Sequence, residues 1–152
     1  ALKTLNSAMA LRGADTGSFT TIDLVTCRPE TGEAAVYKFG AAPSYLKKSG
    51  TVRRITGGTL PAGLRGAPAA PDVTNLTLEP GSFLVMISDG VADAFETDEQ
   101  FTQALSDSLY IQPQRMADAL LRNALLAGGG TPRDDMSVMV LLLLDRQQAK
   151  GS

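Results

Sequence analysis

The chain has 152 residues, 43% of them hydrophobic and 20% charged, with a net charge of −2. That composition fits one folded domain with its own core and excludes an intrinsically disordered segment; the charge shows no broad basic footprint for nucleic acid. With no histidine and one cysteine, Cys27, the chain excludes an internal disulfide, a serine–histidine triad, a histidine-ligated zinc and a histidine general base, so its chemistry must run on carboxylates, hydroxyls or backbone.

No apolar run reaches the ~20 residues needed to span a bilayer, and no signal-peptide pattern opens the chain. Residues 2–12 place Leu2, Leu5 and Met9 at helical spacing, like the tail of a helix that begins earlier. FTTIDLVTC (19–27) has strand composition, RPETGE a turn, and AAVYKFG (34–40) reads as the return strand. SYLKK and TVRRIT flank Ser49-Gly50, which predicts a second hairpin. Its basic stretch KKSGTVRR is read as the solvated face of that hairpin rather than a phosphate-binding patch. Residues 57–71 form a loop rich in glycine and proline, the kind of long irregular segment that often lies at a functional edge.

VTNLTLEPGSFLVMIS (73–88) predicts strand, Pro-Gly turn, strand, with Leu76 and Leu78 on a buried face. Thr97 and Gln100 have capping-box spacing, and Asp98 and Glu99 suit the first turn of the helix they open. A second helix runs from Pro113 to a stop near Gly128, with Met116, Leu120 and Ala124 as its stripe and Leu121 and Leu125 beside it. MSVMVLLLL (136–144) is the last strand. Hairpin-linked strands followed by helices and a strand predict an α+β fold with antiparallel sheet in a single domain over residues 1–152.

Two acidic positions carry the chemistry. Asp89 stands where the strand SFLVMIS ends, and Asp134 and Asp135 where the last strand begins. If those strands are antiparallel neighbours, the carboxylates converge at one rim. Carboxylates brought together repel and invite a hard divalent cation such as Mg²⁺ or Mn²⁺. Gly90 leaves room for a close approach. Asp-Gly alone is explained by turn chemistry. Asp93 and Glu96 lack the spacing of a calcium loop. Asp23 reads as a partly buried or edge strand residue outside the site, and Cys27 as a packing residue rather than a nucleophile.

A strand ending in SDG, then helices, then GGTPRDDMSVMVLLL resembles the C-terminal motifs of PPM-type metal-dependent protein serine/threonine phosphatases. LKTLNSAMALR, FGAAPSYLKKSG, LPAGL and LEPGSFLVMISDGVADA are similar to the sporulation branch of that family, the phosphatase domains of stage II sporulation protein E; the stress-response phosphatases are close relatives. The resemblance implies an αββα sandwich of antiparallel sheets with a site for two Mn²⁺ or Mg²⁺ ions at one edge. It implies Asp89 and Asp134 as metal ligands, and hydrolysis of phosphoserine or phosphothreonine by activated water, without a covalent enzyme intermediate. The implied partner is a phosphorylated anti-anti-sigma factor that controls a sporulation sigma factor. The implied location is a cytoplasmic domain of a protein anchored through upstream segments.

The family also carries bridging ligands in a DGMGxG-type motif on earlier strands, and these 152 residues contain none. The chain therefore matches the C-terminal two-thirds of such a domain. By itself it is expected to bind metal weakly and turn over little, and an open sheet edge invites pairing with a second copy. The competing reading is a non-catalytic module that binds a regulatory partner and keeps the aspartates as vestiges.

Overall fold

The structure, a computed structural model, describes residues 1–16, 19–64 and 70–145. The chain divides into two compact units, residues 1–41 with 56–77, and residues 42–55 with 78–152.

The first unit holds α1 (Leu2–Thr16), β1 (Ile22–Cys27), β2 (Glu33–Phe39) and a later strand, β5 (Asp72–Thr77). The helix runs four residues beyond its predicted end, to Thr16. The three strands form an antiparallel sheet in the order β1-β2-β5. Thr31-Gly32 makes the first hairpin turn, where Gly32 has φ 72° and donates its N–H to the Arg28 carbonyl at 2.8 Å. One cross-strand row is Asp23–Lys38–Asp72. Lys38 is buried, and its ammonium donates to Asp23 Oδ2 at 2.7 Å. This places Asp23 as a partly buried, ion-paired strand residue, one of the two roles its sequence context leaves open.

Asp72 anchors the glycine-rich loop, since its carboxylate accepts the N–H groups of Gly58 and Thr59, each at 2.6 Å. Hydrogen bonds from Thr59 and Gly58 hold the Asp72 carboxyl below its ordinary value of 3.8. Hydrogen bonds of this kind favour the charged form. Because the folded-state pKa is depressed, the stabilisation is present above the unfolded value and is lost as pH falls through the folded one. Asp72→Asn is expected to flatten the acid limb of the stability profile below the ordinary carboxylate range. Urea midpoints measured through that range check it, and an unchanged limb refutes it. Further along the same loop, Ala62 bridges to Thr20, and Gly63 donates its N–H to Asn6 Oδ1 of α1 at 2.8 Å. Residues 65–69 of the predicted loop lie outside the described residues.

The second unit holds β3 (Ser44–Lys48), β4 (Thr51–Ile55), β6 (Phe83–Ile87), α2 (Asp89–Ala92), α3 (Asp98–Asp107), α4 (Pro113–Ala127) and β7 (Val138–Leu142). Its antiparallel sheet has the order β4-β3-β6-β7. Ser49 and Gly50, both at positive φ, turn β3 into β4 as the sequence predicts. The Pro80-Gly81 turn is different. The sequence predicts strand, Pro-Gly turn, strand, and the two strands, β5 and β6, belong to separate sheets. Leu76 and Leu78 are both buried, as their alternation predicts.

The core of this unit gathers Tyr45, Val85 and Ile87 from the sheet with Phe101, Leu105, Met116, Leu120 and Ala124 from the helices. Phe101 packs between Tyr45 and Phe95, with ring centroids 4.7 Å and 5.4 Å away. The helix stripe Met116, Leu120 and Ala124 is buried, whereas Leu121 is exposed. Thr97 caps α3 by accepting the Gln100 N–H at 3.4 Å. The Gln100 side chain accepts from the N–H of Glu96 at 3.1 Å, one residue before the cap. At the other end of α3, buried Lys47 donates to the carbonyls of Leu105, Ser106 and Ser108, and burial pushes its pKa down. Three carbonyls at a helix C-terminus are the partners a buried ammonium needs. The basic hairpin is therefore partly spoken for: Lys47 closes α3, Lys48 pairs with Glu79 and Arg54 pairs with Asp98.

Candidate metal site at the rim of the second sheet

Strands β6 and β7 pair antiparallel, with Ile87 opposite Val138. The end of one therefore meets the start of the other, as the placement of Asp89 and Asp134 requires. Beyond the last ladder pair the contact continues, because Ser88 N–H donates to the Ser137 carbonyl at 3.0 Å. The Ser88 hydroxyl donates to the Asp135 carbonyl at 3.0 Å and accepts the Ser137 N–H at 2.9 Å.

Ser88 is also the residue before α2, and its backbone is extended at φ −80°, ψ 164°. Its hydroxyl makes no cap bond to that helix; it crosses to the β7 side instead. The four-residue α2 begins at Asp89. Gly90 is buried against the segment that carries Asp134 and Asp135. A Cβ there would sit 2.5 Å from the Asp135 carbonyl oxygen and 3.2 Å from the Asp134 carbonyl carbon. Only glycine lets the backbone come this close.

Asp89 is half-buried and Asp134 exposed. Asp134 Oδ1 accepts the N–H of Asp135 at 2.8 Å, which orients its carboxylate at the turn. Asp134 lines a cleft of about 540 Å³ together with Gly90, Arg133 and Met136. Asp89 lines a neighbouring groove of about 610 Å³. Asp93 and Glu96 border both. Asp93 thus lies beside the candidate site. Ser88 is the serine of the SDG motif, to which the sequence assigns no role, and the contacts that make it notable are with residues 47 and 49 positions away.

The donor set fits a hard cation in kind: two carboxylates on adjoining segments, with Gly90 at the close approach between those segments. Among the described residues no group of three or more His, Cys, Asp or Glu is arranged to hold a metal ion. Asp89 and Asp134 are two candidate donors on segments that meet at the β6–β7 rim.

Two antiparallel sheets accompanied by helices form an architecture shared with solved structures. The chain superposes on the phosphatase domain of the cell fate determinant SpoIIE from Bacillus subtilis, in a crystal form without domain swapping, with a TM-score of 0.79 and 26% identity over 95% of this chain and 64% of that one. It also matches the catalytic domain of the serine/threonine protein phosphatase PstP in complex with two manganese ions, with a TM-score of 0.70 over 92% of this chain and 67% of that one; at 22% identity this shows the fold alone. The fold is that of PP2C-type serine/threonine phosphatase domains.

The family model for stage II sporulation protein E (SpoIIE) matches residues 1–143, and the chain belongs to that family. The stage II sporulation protein E of Bacillus subtilis (strain 168) is 28% identical over 145 residues, which cover 93% of this chain and 17% of that protein. The chain spans well under two thirds of the relative's length. No helix among the described residues is long and apolar enough to cross a membrane.

Proposed function

We propose that this chain is part of a metal-dependent protein phosphatase domain that removes phosphate from phosphoserine or phosphothreonine. The observation that carries the reading is the convergence of the Asp89 and Asp134 segments at the β6–β7 rim, across a close approach that only Gly90 permits. Asp89 and Asp134 would hold divalent ions, and the similar phosphatase domain of SpoIIE from Bacillus subtilis presoaked with Mn supports Mn²⁺ as the first choice. When bound, such ions make water a better nucleophile near neutral pH and offset charge on the phosphoryl group. The chain's own part is to supply hard oxygen donors, to hold Asp134 through the Asp135 N–H, and to leave a cleft beside them for the substrate. These 152 residues contain no histidine, so any proton transfer by the chain's own side chains falls to carboxylates or hydroxyls.

Membership of the SpoIIE family supports a phosphorylated anti-anti-sigma factor as substrate, and so control of a sporulation sigma factor. Release of phosphate from such a phosphoprotein by the full-length protein, dependent on Mn²⁺ and abolished by chelation, tests the function; metal-independent turnover refutes it.

With two carboxylates as its ligand set, the 152-residue chain alone is expected to bind Mn²⁺ weakly and to turn over little. Titration calorimetry with Mn²⁺ and a phosphopeptide assay on the isolated chain check this, and robust turnover contradicts it.

A further inference from the structure

We infer that Ser88 is a positioning residue whose hydroxyl latches the Asp89 segment to the Asp134–Asp135 segment and so sets the metal affinity of the rim. The inference rests on the metal-site reading above and names a residue that reading does not use.

A serine directly before a helix ordinarily turns its hydroxyl back to accept an N–H of the first turn. Ser88 makes no such bond. Its backbone N–H already continues the β6–β7 pairing to the Ser137 carbonyl at 3.0 Å, so the hydroxyl is not needed to register the strands. It adds two bonds of its own: one donated to the Asp135 carbonyl at 3.0 Å and one accepted from the Ser137 N–H at 2.9 Å. Both ends of the short link between Asp135 and Ser137 are thereby tied to the residue that precedes Asp89. The Asp135 carbonyl is also the atom that a Cβ on Gly90 would strike. One carbonyl is thus held by Ser88 and approached by Gly90, and the carboxylates on either side inherit its position. Residues that orient metal ligands through hydrogen bonds typically alter affinity by about 10–100-fold when removed.

The test uses the full-length protein with Mn²⁺ as the probe. Ser88→Ala is expected to weaken Mn²⁺ binding in calorimetry by about tenfold, and turnover is expected to recover as Mn²⁺ is raised, so that the defect falls on metal affinity rather than on the maximal rate. Ser88→Thr, which keeps the hydroxyl, is expected to restore wild-type Mn²⁺ binding. Independently of activity, the Ser137 amide is expected to exchange its hydrogen faster in Ser88→Ala than in wild type or Ser88→Thr. Wild-type Mn²⁺ affinity in Ser88→Ala overturns the inference, and so does a Ser88→Thr variant as weak as Ser88→Ala. If Ser88→Ala fails to fold, Ser88→Cys replaces it, being similar in size but a poorer hydrogen-bonding group; wild-type Mn²⁺ affinity there overturns the inference equally. Asp89→Asn separates the two layers. If it leaves Mn²⁺ binding intact, the metal-site reading falls and the latch with it; if it weakens binding while Ser88→Ala does not, the latch alone falls.

Discussion

Asp89→Asn in the full-length protein is expected to lower Mn²⁺-dependent phosphate release by about a hundredfold or more. The figure follows from a comparison. Residues that merely orient metal ligands cost about 10–100-fold when removed, and a ligand itself sits one bond closer to the ion. Asparagine keeps the size of aspartate and one carbonyl oxygen, but it brings no charge to offset that of the cation, so the change isolates charge from shape. Asp89 is half-buried at the start of α2. Its neighbour Gly90 is buried against the Asp135 backbone, so the surrounding main chain is well placed to keep its path in the variant. Circular dichroism should be unchanged while phosphate release from a phosphopeptide falls. Unchanged turnover would remove Asp89 from the site and favour a module that binds a partner without catalysis.

The largest effect on stability is expected from Lys38→Met, at about 3–5 kcal/mol, the usual cost of breaking a buried ion pair by removing one partner. Lys38 is 2% exposed and Asp23 13% exposed on their side chains, with the ammonium 2.7 Å from Oδ2. Methionine fills similar space but leaves the Asp23 carboxylate without its ammonium in a setting with little water. Much of the penalty comes from breaking the buried pair rather than from lost packing, so a second change should return part of it. Asp23→Leu combined with Lys38→Met is expected to lie closer to wild type than Lys38→Met alone, because apolar pairs often replace buried ion pairs without net loss. Denaturant unfolding of the three variants measures both statements. A loss below about 1 kcal/mol for the single change would place the pair with surface salt bridges, which are worth that or less.

These two residues show how unevenly the molecule is written in its sequence. Asp89 stands out because a strand-like run, a glycine and a second acidic rim surround it. Lys38 does not, because nothing near it in the sequence supplies the carboxylate a buried ammonium needs; its partner Asp23 comes from the neighbouring strand β1. Lys47 is the same case, read as part of a basic hairpin and found closing α3 through three carbonyls.

The sequence by itself determined the local elements: the Ser49-Gly50 hairpin, the Thr97 cap, the Pro113 start of α4, and the two aspartate motifs that mark family and candidate site. Each depends on backbone preferences or short-range hydrogen bonds that a few neighbouring residues specify. Only the tertiary structure decided that the Pro80-Gly81 turn sends β5 and β6 to different sheets. Only there does Gly90 meet Asp135, and the Ser88 hydroxyl leave its own helix for Asp135 and Ser137. Those outcomes depend on pairing between segments far apart in the chain, and the period of a single strand carries no record of which partner it will find.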